Sequence, residues 1–140
     1  MFQILVVEDD GKLRQLFQTV LAKHGYRVLR AADGMEALEL LDKEHVDLIV
    51  TDVMMPRMDG ITMASSLREA GMNMPILIIT AKGEYQDKEK GYSSGIDDYM
   101  VKPIDVNEMV LRVGALLRRV QSVSEKKITL GDTLLAYESL

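Results

Sequence analysis

The sequence contains no cysteine, which excludes disulfide staples and thiolate metal sites. Histidine is nearly as scarce: the two present, His24 and His45, fall at the ends of predicted helices with no ligand spacing between them, and both are expected in solvent. Basic charge is in deficit, with 17 Lys and Arg against 22 Asp and Glu, a net charge of −5 and a pI near 5.0. That balance argues against gripping nucleic acid or an anionic membrane by bulk electrostatics. Long apolar runs are also missing. The N-terminal run gives way to acids after Val7, too soon for a signal peptide and far too soon for a membrane span, so a cytoplasmic address is expected. What the chain does have is apolar residues in short runs, 47% of its 140 residues, enough for one compact domain with its own core.

Those runs alternate with helical patterns. Residues 2–7 read as a strand covered on both faces, because Ile, Leu and Val follow one another without polar interruption. Leu13, Leu16, Phe17, Val20 and Leu21 recur at helical spacing, with Gly25 as the stop. A short second strand at 27–30, a helix at 34–43 and a third strand at 46–51 follow. Pro56 and the Asp59-Gly60 pair mark the next loop. A helix at 61–70, a strand at 76–80, a weakly apolar helix at 86–94 and a strand at 98–101 precede a last amphipathic helix reaching Val120. This order predicts a parallel sheet with right-handed crossovers and helices on both faces. Residues 121–127 are polar and read as a linker. Residues 128–137 alternate like a strand and are expected to open a second domain, a bare disordered tail being the alternative.

On such a sheet Glu8 and Asp9 after strand one, Asp52 after strand three, Thr80 after strand four and Lys102 after strand five share one rim, where open α/β sheets bind ligands. Each alone is ordinary: Asp9 or Asp10 as a helix cap, Asp52 in a loop, Thr80 as a β-branched strand residue, Lys102 at the surface. Their convergence is not. Clustered carboxylates suit a hard cation such as Mg²⁺, and without it they repel one another, so at least one should titrate high. Acids, a hydroxyl and an ammonium around one point suit phosphoryl transfer to a carboxylate, in which neutralisation and in-line positioning carry most of the catalysis.

The motifs ILVVEDD, DLIVTDVMMPRMDG, PILIITA and GIDDYMVKP, followed by the final amphipathic helix, resemble the response-regulator receiver domain of two-component systems over residues 1–120. The resemblance implies an α/β, flavodoxin-like (CheY-like) fold with a five-stranded parallel sheet in the order 2-1-3-4-5. It implies phosphorylation of Asp52 by a histidine kinase, and Mg²⁺ held by Asp9, Asp52 and the backbone carbonyl of Met54, with Glu8 acting through water. Lys102 would anchor the phosphoryl group, Thr80 and Tyr99 would form the switch pair, and the Lys102-Pro103 bond would be cis. The chain would be a phospho-acceptor that assists only its own phosphorylation and dephosphorylation.

The stretch ITLGDTLLAYESL resembles the start of the effector domain of OmpR/PhoB-type winged-helix transcription factors, placing it at 128–140. That subfamily implies a homodimer through the fourth helix, fifth strand and fifth helix, with Lys88, Tyr92, Asp97, Asp98, Glu108, Val110, Arg112 and Arg119 at matching positions. Lys88 with Glu108, and Asp98 with Arg112, would pair across it. DNA would be reached only through the effector domain. The chain departs from the pattern at Glu89, where an aliphatic residue is usual, and at Ile104, where Phe often stands. A haloacid-dehalogenase-type phosphohydrolase would need a second acid two residues after Asp52, where this sequence has Met54. A non-phosphorylated interaction module on the same fold would not need the intact acids and Lys102.

Overall fold

The computed structural model describes residues 1–81 and 95–136, with side chains as far as residue 121. Five strands form one parallel sheet: β1 Gln3–Val7, β2 Arg27–Ala31, β3 Leu48–Asp52, β4 Ile76–Thr80 and β5 Asp98–Val101, in the order β2-β1-β3-β4-β5. Helices α1 Gly11–Lys23, α2 Gly34–Lys43 and α3 Gly60–Glu69 link the first four strands, and a C-terminal helix spans Val106–Ala136. No described helix is long and apolar enough to cross a membrane.

Strand alternation explains why the central runs are apolar throughout. Successive side chains point to opposite faces, so Leu5, Val7, Ile49, Ile76 and Ile78 pack with Ala37, Leu41, Met63, Ala64 and Leu67 of α2 and α3. Ile4, Val6, Leu48, Val50, Leu77 and Ile79 instead meet Phe17 and Leu21 of α1 and Met109, Val113, Leu116 and Leu117 of the C-terminal helix. Both faces are therefore covered, as the uninterrupted runs predict.

Three aspartates start three helices. Asp10 accepts from the Lys12 and Leu13 N–H groups at 2.9 and 3.3 Å, Asp33 from Glu36 at 3.0 Å and Asp59 from Thr62 at 2.7 Å. Such caps are worth about 0.5–2 kcal/mol each. The assignment of Asp10 to α1 matters for the site, because it leaves the preceding Glu8 and Asp9 uncommitted to that helix. Gly25, at φ 89°, follows the end of α1 as expected.

Two boundaries differ from the sequence reading. β3 starts at Leu48 instead of Val46 and includes Asp52, so this carboxylate is part of the sheet and not of the loop. The larger correction is at the C-terminus: the expected linker at 121–127 and strand at 128–137 are replaced by helix through Ala136. No proline interrupts these residues, and extending an existing helix gains one hydrogen bond for each residue fixed. A strand there would need a sheet edge with which to share its backbone bonds, whereas a helix supplies its own partners. The weak helix expected at 86–94 lies outside the described residues.

Gly60 sets the end of the loop that leaves β3. Its N–H donates to the Val53 carbonyl at 2.8 Å, and a Cβ there would fall on the Asp52 carbonyl oxygen and lie 3.3 Å from Thr51 Oγ1. Gly60→Ala should therefore cost about 1–3 kcal/mol through overpacking, read as a lower urea midpoint with an unchanged slope.

Candidate functional site

The sheet order reverses between β1 and β3, and the crevice outside the carboxyl ends of such strands is where this class of sheet binds ligands. Glu8 directly follows β1 and Asp52 closes β3. The Glu8 N–H continues the ladder to the Ala31 carbonyl of β2 at 3.1 Å, and the residue is only 1% exposed. Asp52 is 5% exposed, while Asp9 faces solvent. One carboxylate oxygen from each of Glu8, Asp9 and Asp52 lies within 4.8 Å of the others.

Lys102 reaches this cluster from the turn after β5. Its N–H extends the ladder to the Thr80 carbonyl at 2.7 Å, and the Lys102-Pro103 bond is cis, as the resemblance implies. The Lys102 Nζ lies 3.2 Å from Asp52 Oδ2 and 3.6 Å from Glu8 Oε1. The other Asp52 oxygen, Oδ1, accepts from the Val53 N–H at 2.8 Å. Asp52 is thus held by a donor at each oxygen.

The donor set fits a hard cation. It is all oxygen, carries excess negative charge after one lysine is counted, and includes Glu8 Oε1, which is buried without a hydrogen-bond partner. Glu8, Asp9 and Asp52 could each offer one oxygen to an ion, and Met54 stands in the loop two residues beyond Asp52.

Thr80 and Tyr99 occupy one face of neighbouring strands. Ile78 pairs with Tyr99 in the β4–β5 register and Thr80 is two residues further along, a spacing that returns to the same face. Thr80 is buried, its hydroxyl donating to the Ala81 carbonyl at 3.2 Å, and Tyr99 is half-buried against the core on the α2 and α3 side.

The residues matched to a dimer face divide. Arg112 binds within its own chain, with Nη1 at 2.8 and 2.9 Å from the two Asp98 oxygens and Nη2 at 2.9 Å from Glu108. Asp97 is also engaged internally, accepting from Arg68 Nη2 at 3.0 Å and from the Ile76 N–H at 2.8 Å. Arg119 is exposed, and Val110 is half-buried against the C-terminal helix core. Lys88, Glu89 and Tyr92 lie outside the described residues.

The sequence reading missed one contact beside the site. Arg57 makes a bidentate pair with Asp33, Nε to Oδ2 at 2.8 Å and Nη2 to Oδ1 at 2.9 Å. Asp33 caps α2, and nothing local in either residue signals a partner 24 positions away. The pair holds the Asp33 carboxyl below the usual range, chiefly through the Arg57 hydrogen bonds.

Glu8 is pushed up from 4.5 to about 8, first by burial and then by the neighbouring Asp52, toward which a protonated Glu8 can donate and whose charge opposes ionisation. The direction matches the expectation of an acid titrating high, but burial outweighs repulsion as its cause. Because the folded form holds this proton more tightly than the unfolded chain, the stability it contributes is full below about pH 4.5 and is lost as pH rises through about 8. In metal-free protein, Glu8→Gln should remove that fall, so the difference in unfolding free energy between variant and wild type should grow from pH 5 to pH 8.5 in favour of the variant. Parallel curves for the two proteins would contradict this.

Comparison with known proteins agrees with this geometry. The response regulator receiver domain family matches residues 4–114. The chain is 43% identical to the transcriptional regulatory protein SrrA of Staphylococcus aureus over 122 residues, which cover 87% of this chain and 50% of that protein. It therefore spans about half the length of the curated relatives it matches. Among solved structures, the receiver domain of Francisella response regulator 1452 superposes with a TM-score of 0.81 at 38% identity, covering 86% of this chain and 99% of that one. The chemotaxis response regulator CheY4 of Vibrio cholerae gives 0.77 at 31%, covering 83% and 98%. With the acids, lysine and strand order in place, the chain belongs to the response-regulator receiver domain family.

Proposed function

We propose that Asp52 accepts a phosphoryl group from a histidine kinase and that the resulting acyl phosphate switches the domain into a homodimer. The observation that carries this reading is Asp52 itself, buried at the end of β3 with the Lys102 ammonium 3.2 Å from one oxygen and two further carboxylates within 4.8 Å. In the transfer, an Asp52 oxygen forms a bond to phosphorus as the bond from phosphorus to the donor nitrogen breaks. Mg²⁺, held by Asp9, Asp52 and the Met54 carbonyl with Glu8 through water, supplies neutralisation of the phosphoryl oxygens when bound. Lys102 gives a compact point charge to another of those oxygens. The chain is then a stoichiometric acceptor that assists its own phosphorylation and dephosphorylation, not a turnover enzyme.

Phosphorylation adds about two negative charges and three acceptor oxygens. The Thr80 hydroxyl exchanges its Ala81 acceptor for the phosphoryl group, and Tyr99 on the same face turns into the space this frees. The outer surface of β5 and the C-terminal helix changes with it. Pairs now closed within one chain, Arg112 with Asp98 and Glu108, reopen to partners in the second copy, together with Lys88, Tyr92, Asp97, Val110 and Arg119. The output is transcription in the cytoplasm, through a winged-helix DNA-binding domain. Similarity to SrrA, a transcriptional regulatory protein of about twice the matched length, supports that output.

Asp52→Asn should abolish labelling by acetyl phosphate in the presence of Mg²⁺; undiminished labelling would show that another residue is the acceptor. Light scattering with Mg²⁺ and beryllofluoride should give twice the mass of the untreated chain, and an unchanged mass would remove the dimer from this reading.

A further inference from the structure

The loop between Asp52 and α3 is pinned more firmly than a surface loop requires. At its apex the Met58 N–H donates to the Pro56 carbonyl at 2.8 Å across Arg57, whose φ is 68°. A bond from residue i+2 back to i around a positive-φ residue is the strained form of the γ-turn, and a residue with a Cβ adopts it at a cost of order 1–3 kcal/mol. Something must hold it. The Arg57 fork does, through both oxygens of Asp33, a carboxyl that is 8% exposed and fixed by its own capping bond to Glu36. Met58 docks on the same helix end: a Cβ at Gly34 would lie 2.9 Å from the Met58 carbonyl oxygen and 3.0 Å from its side chain. The far end is closed by the Gly60 N–H on the Val53 carbonyl. Met54 lies inside this frame.

We infer that Arg57 is a positioning residue for the cation site, its bidentate pair with Asp33 holding the loop so that the Met54 carbonyl stands beside Asp9 and Asp52. This rests on the reading of that site given above. The strain at Arg57 and the pair that offsets it are then two parts of one device. A glycine at this position would adopt the turn freely but leave it unanchored. A lysine would keep the charge without the planar fork.

Two variants separate positioning from the alternatives. Arg57→Gly removes the fork and the strain together. Asp33→Asn breaks the ion pair while keeping a residue that caps α2 well. Simple electrostatics predicts opposite shifts in Mg²⁺ affinity, tighter when the Arg57 cation is lost and weaker when the Asp33 anion is lost. A purely structural role predicts lower stability with unchanged affinity in the folded protein. Positioning predicts that both variants weaken Mg²⁺ binding in the same direction, by about 10-fold as for other residues that orient metal ligands. It also predicts faster hydrogen exchange at the Met54 and Met55 amides in both, with Mg²⁺ binding followed by calorimetry on the whole chain. Opposite shifts, or wild-type affinity in both variants, would overturn the inference. Failure of the wild-type chain itself to bind Mg²⁺ would overturn the site reading and this inference with it, and is told apart because it precedes any substitution.

Discussion

Two carboxylates, Glu8 and Asp52, lie almost out of solvent at the ends of adjacent parallel strands, with one ammonium, Lys102, between them. Burying a charge is expensive unless it is paired and hydrogen-bonded. One lysine cannot satisfy two buried acids and a third nearby, so the site keeps an excess of negative charge that a proton on Glu8 or a cation must balance. The same deficit makes the rim receptive to a divalent ion, and it follows directly from the strand order.

The rest of the fold keeps that arrangement rigid. The parallel register places Val7 beside Thr51 and Ile79 beside Asp52, so the acids are brought level by the same ladder that buries the aliphatic runs. Asp10, Asp33 and Asp59 cap the helices behind the rim, which separates the acids that build helices from those that build the site. Gly60 lets α3 begin against the Asp52 backbone. Charge at the rim and packing in the two cores are coupled, because a shift of β3 by one residue would turn Asp52 away and send each buried side chain of the strand into the opposite core.

Much of this was legible before any coordinates. Continuous Ile, Leu and Val in β1 gave a strand covered on both faces, and the helical spacing of Leu13, Phe17 and Leu21 gave α1. The convergence of Glu8, Asp9, Asp52, Thr80 and Lys102 followed from placing each after a parallel strand. The failure at 121–136 has a local origin. Alternation in a short polar-flanked stretch is a weak signal, and a strand needs a neighbour whereas a helix satisfies its own backbone.

By itself the sequence determined the five strands and the helices α1 to α3, which residues crowd the carboxyl rim, and the family to which the chain belongs, because these depend on periodicity and on residue order along the chain. Only the tertiary structure decided the partners of the charged residues: Arg57 with Asp33, Arg68 with Asp97, and Arg112 with Asp98 inside one chain. These pairs join residues 24, 29 and 14 positions apart. A long flexible cation can reach many acids, and the choice among them is made by which elements the fold brings within hydrogen-bonding distance, a quantity that no local pattern encodes.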